Sequence, residues 1–125
     1  MLLQVVILGD TNDTSLIEEM SLDCDLLVHE ATMEGALREK AVEYGHSTPA
    51  MAADFAHRVR AAKLCLTHVS PRYKPFQSED GGETASDESK GQTAKVLLDE
   101  ARQRLGELGS ACSAFIAEDF YELEV

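Results

Sequence analysis

The sequence predicts an α/β fold, and three observations carry that prediction. Apolar runs of strand length at residues 3–8, 25–29 and 63–68 alternate with stretches of helical character. Each run closes on polar residues, Gly9-Asp10, His29-Glu30 and His68. A helix-start signal, Thr48-Pro49, precedes the third run.

Each element has its own local reason. Residues 3–8 form a continuous apolar strand of the kind buried on both faces. Gly9-Asp10 ends it, and residues 14–20 read as a short helix capped by Thr14 or Asp13. The second strand is 25–29, followed by a charged, alanine-containing surface helix over 33–44 that stops at Gly45. From Pro49 a helix runs to about residue 61 with Met51, Ala52, Phe55, Ala56 and Val59 inward. Residues 63–68 are the third strand. Residues 77–91, rich in Ser, Asp, Glu and Gly, read as a mobile acidic loop. The last long helix spans 93–108, and 114–117 with 120–123 give two short strands or one bent strand.

At 125 residues the chain fits one small domain, and with 44% hydrophobic residues and no Trp its core must be mostly aliphatic. The net charge of -12 is the wrong sign for broad nucleic-acid binding. Nine acidic residues, however, sit at 79–88 and 118–124, leaving 14 against 11 basic ones elsewhere. A local basic contact therefore remains compatible with the composition. Cys24, Cys65 and Cys112 are odd in number and form no C-x-x-C pair, which points to reduced thiols in a cytoplasmic or nuclear setting. The first residues read as a strand rather than a signal peptide, and no run is long enough to span a membrane.

Four polar signatures flank the apolar runs: Gly9-Asp10-Thr11, His29-Glu30-Ala31-Thr32, Gly45-His46-Ser47-Thr48 and Thr67-His68-Val69-Ser70-Pro71-Arg72-Tyr73. Side chains at the carboxyl ends of strands converge on the edge where open sheets bind ligands. Carboxylate and imidazole groups there suggest metal-assisted hydrolysis. Asp10 can bridge two metal ions or, more plainly, cap the next helix. His68 can ligate zinc or close a strand. Arg72 offers a fork for phosphate, with the Ser70 hydroxyl beside it, while Tyr73 reads as packed against the fold. H-E-x-x-H is absent, since position 33 is Met, so His29 and Glu30 are not a two-ligand helical site. His29 reads as structural support, and His46 as a loop histidine ahead of a cap formed by Ser47 and Thr48. His57 lies in a basic stretch with Arg58, Arg60 and Lys63 that reads as solvated surface and offers a contact for RNA.

Together the GD-T, HEAT, GHST and TH-x-S-x-RY elements, in this order from Val5 to about Phe120, resemble the C-terminal half of tRNase Z, in its short form. The resemblance implies the C-terminal half of a metallo-β-lactamase αββα sandwich over residues 1–125. It implies a zinc-dependent endoribonuclease that removes the 3′ trailer of tRNA precursors. In that family Asp10 would bridge two zinc ions and His68 would bind the second, with manganese a rival metal. Glu30 would pair with His46, and His46 would donate a proton to the leaving ribose oxygen. Precursor tRNA and a second copy in a homodimer are the implied partners. The chain departs from the family at Asn12-Asp13 and Val69, which puts the neighbouring loop in doubt but not the ligands. The family's His-x-His-x-Asp-His motif is absent, so the chain alone is expected to bind zinc poorly and cleave nothing. The alternatives are a non-catalytic truncated isoform that pairs with other subunits, or a phosphodiesterase of the same fold with another substrate.

Overall fold

The computed structural model describes residues 3–11, 13–71, 73 and 93–117. Four parallel strands, β1 (Val5–Ile7), β2 (Leu26–Glu30), β3 (Lys63–Thr67) and β4 (Ser113–Ile116), form one sheet in the order β1-β2-β3-β4. The helices are α1 (Arg38–Glu43), α2 (Pro49–Arg58) and α3 (Lys95–Glu107). The predicted 120–123 strand and the 77–91 loop lie outside the described residues.

Sequential parallel order with right-handed crossovers places successive connections on one face of a sheet. That face holds the core here. Leu27, Leu64, Leu66, Ala114 and Ile116 from the strands pack with Phe55, Val59, Leu97, Ala101 and Leu105 from the helical side. The register pairs Leu27 with Leu64 and Leu64 with Ala114, so side chains of the inward rows share one layer. One consequence corrects the sequence reading of residues 3–8. Val6 and Leu8 join the core, whereas Val5 is 46% and Ile7 72% exposed. β1 is an edge strand whose second face has no cover among the described residues, so only one of its faces is buried.

Two helical readings also change. Residues 14–20 form two 3-10 turns, Ser15–Ile17 and Glu19–Ser21, rather than one helix. The Asp13 carboxylate accepts the Ser15 N–H at 3.0 Å, as a capping side chain does, but a segment this short, with Leu16 and Met20 exposed, has little burial to sustain a regular helix. Residues 33–44 divide into a 3-10 turn, Gly35–Leu37, and the short α1. Gly45 follows at φ +80°, the left-handed stop that its lack of a Cβ permits.

α2 starts where Thr48-Pro49 predicts. The Thr48 hydroxyl accepts the Met51 N–H at 3.3 Å, while Pro49 occupies the first turn, where an N–H has no helical partner. Ala52, Phe55, Ala56 and Val59 are buried as predicted, with Met51 half-buried. The helix closes at Arg58, before the predicted residue 61. Thr48→Ala is expected to lower stability by about 1 kcal/mol, read as a shift in the urea midpoint at constant slope.

Candidate active site

Because β1, β2 and β3 are parallel, their carboxyl ends share one edge, and the polar signatures meet there. Asp10 follows β1, Glu30 ends β2, His68 follows β3, and His46 stands in the loop leading to α2. One ligand atom from each of Asp10, His46 and His68 lies within 4.8 Å of the others. His68 Nε2 is 3.4 Å from Asp10 Oδ1, and the His46 and His68 rings stack with centroids 5.2 Å apart. Asp10 and His68 are about half exposed, so the cluster opens outward. His68 sits at φ +57°, a left-handed conformation that His tolerates better than most residues. It turns the chain sharply as it leaves β3.

Behind this cluster lies a buried carboxylate. Glu30 is 1% exposed. Its Oε1 accepts the backbone N–H groups of Thr11 and Ser47, each at 2.9 Å, and lies 3.3 Å from His46 Nδ1. Its Oε2 accepts the Thr32 hydroxyl. A buried carboxylate needs several donors to offset its lost hydration, and Glu30 has them. The same bonds tie the loop after β1 to the loop before α2. Ser47 does not cap α2 as predicted; its hydroxyl donates to the Thr11 carbonyl.

His29 and Glu30 are neighbours with opposite surroundings, because successive strand side chains point to opposite faces. His29 faces the helices, 1% exposed, with its ring centroid 6.1 Å from that of Phe55. Its Nδ1 lies 2.8 Å from the Glu30 carbonyl oxygen, which accepts the ring N–H. Burial holds its pKa below the usual 6.5, against the opposing pull of that carbonyl. The folded protein therefore resists protonation of His29 while the unfolded chain does not. Stability that His29 contributes above pH 6.5 falls as pH drops below that value toward the lower folded pKa. Urea midpoints between about pH 7 and pH 5 should accordingly fall more steeply in the native chain than in His29→Asn.

Ser70 lies at the margin of the site, its backbone N–H bonded to the Thr32 carbonyl at 3.1 Å. Arg72, the predicted phosphate fork, lies outside the described residues. Tyr73 is packed as predicted, donating to Glu34 Oε1 at 2.9 Å and accepting the Glu34 N–H at 3.0 Å. The basic stretch at 57–63 is not drawn into the cluster. It stands at the far end of α2, ten residues or roughly 15 Å along the axis from Thr48. There Arg58 pairs with Glu18 at 3.2 Å and Arg60 forks onto Asp23 at 2.7 and 2.9 Å. Cys24, Cys65 and Cys112 are free thiols.

Sequence reasoning gave no role to Thr32, and to Thr11 only that of holding Asp10 in place. Both stand inside the quoted signatures, and the third residue of G-D-T and the fourth of H-E-A-T were the available signals.

The donor set suits a borderline metal such as zinc: one carboxylate and two imidazoles at an open edge, with polar groups placed behind both rings. No family model matches the chain. Over 81 residues, 65% of this chain and 22% of the relative, it is 47% identical to the human zinc phosphodiesterase ELAC protein 1. It is 49% identical to ribonuclease Z of Listeria monocytogenes over 76 residues, 61% of this chain and 25% of that one. The chain thus spans about a quarter of the curated relatives it matches. Among solved structures, human tRNase Z, short form, matches at a TM-score of 0.52 with 47% identity, covering 54% of this chain and 27% of that one. The metallo-β-lactamase fold protein YhfI from Bacillus subtilis matches at a TM-score of 0.63, covering 94% of this chain and 38% of that one; at 20% identity it speaks for the fold alone. The likeness to tRNase Z carried by the four signatures is borne out by these relatives, over a shorter stretch than 5–120. The fold is that of part of a metallo-β-lactamase domain.

Proposed function

We propose that this chain supplies the C-terminal part of a zinc-dependent endoribonuclease that removes the 3′ trailer of tRNA precursors. The observation that carries the reading is the convergence of Asp10, His46 and His68 at one sheet edge, with Glu30 buried behind His46. Asp10 and His68 would hold metal, two zinc ions in the complete site, with manganese the rival. When bound, zinc supplies Lewis-acid stabilisation of the phosphate and activation of water. This chain's residues orient and protonate. Glu30 Oε1 accepts the Nδ1 hydrogen of His46, leaving Nε2 to face the substrate and pass a proton to the leaving ribose oxygen. Ser70 and Arg72 would contact phosphate.

The rest of the site would come from a preceding segment carrying the missing histidines, and a second copy would complete the dimer. Free thiols support a cytoplasmic or nuclear setting. Among the described residues no helix is long and apolar enough to cross a membrane.

The test joins this chain to the amino-terminal half of a relative and assays 3′-end cleavage of a tRNA precursor with zinc. Cleavage on the 3′ side of the discriminator nucleotide is expected from the fusion, and none from the 125 residues alone. A folded, zinc-loaded fusion that cuts nothing would favour the non-catalytic, subunit-pairing reading. Cleavage only of small phosphodiesters would assign another substrate. One observation favours a second role for His46: its ligand atom lies within 4.8 Å of those of Asp10 and His68, close enough for a third metal ligand.

A further inference from the structure

We propose that Thr32 is a positioning residue that holds His68 in the Nδ1–H tautomer, so that Nε2 is the nitrogen presented toward Asp10. The inference deepens the metal-site reading above, but the tautomer can be measured without it. The Thr32 side chain is buried at the centre of the signatures. Its Oγ1 lies 2.5 Å from Glu30 Oε2, 2.9 Å from the His68 carbonyl oxygen, 3.0 Å from His68 Nδ1 and 3.4 Å from His46 Nδ1. A hydroxyl has one proton to donate and two lone pairs with which to accept. Two of these neighbours, Glu30 Oε2 and the His68 carbonyl, can only accept from it. The carboxylate is the stronger acceptor and the nearer one, so it takes the proton.

The Thr32 oxygen can then only accept from His68. The neutral His68 ring must carry its hydrogen on Nδ1 and its lone pair on Nε2. That lone pair stands 3.4 Å from Asp10 Oδ1, which is also an acceptor. Two acceptors facing each other are an arrangement that a cation satisfies. Thr32 is itself held from both sides of its backbone. Its N–H donates to the Ser47 carbonyl and its carbonyl accepts from the Ser70 N–H, each at 3.1 Å. One buried carboxylate thus orients both imidazoles, His46 directly and His68 through the Thr32 hydroxyl. Groups that hold a ligand histidine from behind are typically worth about 10–100-fold in metal affinity.

The experiment is long-range ¹H–¹⁵N correlation of the histidine rings in the ¹⁵N-labelled 125-residue chain at about pH 8, where imidazole is neutral. His68→Gln identifies the His68 signals among the four histidines. The native chain should show His68 protonated at Nδ1. Thr32→Ser, which keeps the hydroxyl, should retain that form, and Thr32→Val, which keeps the shape alone, should lose it. In the fusion to a relative's amino-terminal half, zinc titration by calorimetry should show an apparent Kd about 10–100-fold weaker in Thr32→Val and largely restored in Thr32→Ser.

A native His68 protonated at Nε2 overturns the proposal, even where Thr32→Val fails to fold. So does a folded Thr32→Val with an unchanged tautomer. The expected tautomers without zinc binding by any variant of the fusion would support the role of Thr32 and count against the metal-site reading instead.

Discussion

Replacing His46 by alanine in the completed enzyme should lower the turnover of precursor tRNA by about 10²–10⁴-fold, the usual worth of a positioned general acid. The geometry makes the loss specific to the proton transfer. His46 Nδ1 is 3.3 Å from the buried Glu30 Oε1, so one ring nitrogen is committed to the protein and the other is left for the substrate. The variant should bind precursor with nearly unchanged affinity, because the ring's contacts with Glu30, Thr32 and His68 are to side chains, while the loop's own backbone is held by separate bonds from Ser47 to Glu30 and Thr32. Single-turnover cleavage separates chemistry from binding. Zinc affinity decides between the two roles open to His46. As a proton donor its loss leaves zinc binding unchanged, and as a third ligand its loss weakens zinc binding together with the rate. A leaving group that needs no proton should restore much of the rate to His46→Ala only if the residue is the acid.

The second large effect is expected at Glu30, where one substitution should unsettle the fold and the site together. In Glu30→Ala the N–H groups of Thr11 and Ser47 lose their acceptor, while the Thr32 hydroxyl can turn to the His68 carbonyl 2.9 Å away. An unsatisfied buried group costs about 1–3 kcal/mol, and two sharing one cavity should cost about 2–5 kcal/mol together. That is a large part of the roughly 5–15 kcal/mol that holds a domain together. Urea unfolding of the chain measures it; a loss under about 1 kcal/mol would show that water replaces the carboxylate. Glu30→Gln separates the two effects. Its amide oxygen can still accept from Thr11 and Ser47, so most of the stability should remain. Its NH₂ group would face Thr32, turning the hydroxyl proton away and leaving His68 Nδ1 with a competing donor. Glu30→Gln is therefore expected to fold and to be nearly as inactive as His46→Ala.

Much of the site was legible because its residues carry local signals. Asp10 and His68 each stand at the polar end of an apolar run, and Thr48-Pro49 announces both the start of α2 and the loop that presents His46. Periodicity also named the inward residues of α2, since a helix face repeats within one short segment. The same kind of reasoning failed on residues 3–8. A continuous apolar strand reads alike whether one face or both are covered, and cover depends on elements elsewhere in the chain. It failed again on residues 14–20, where a short segment with Leu16 and Met20 exposed settles into two 3-10 turns for want of burial to hold one helix.

The amino-acid sequence by itself determined the α/β class, the strands, the caps and the identity of the residues able to hold a metal or move a proton. The tertiary structure alone decided how those residues divide the work. Parallel register brought the ends of β1, β2 and β3 to one edge, and side-chain alternation sent His29 into the core and Glu30 toward the site. Thr32 acquired its place from His68, a partner 36 residues away. Residue type and short spacing govern local bonds, but burial and hydrogen-bond partners are set by segments that meet only when the chain has packed.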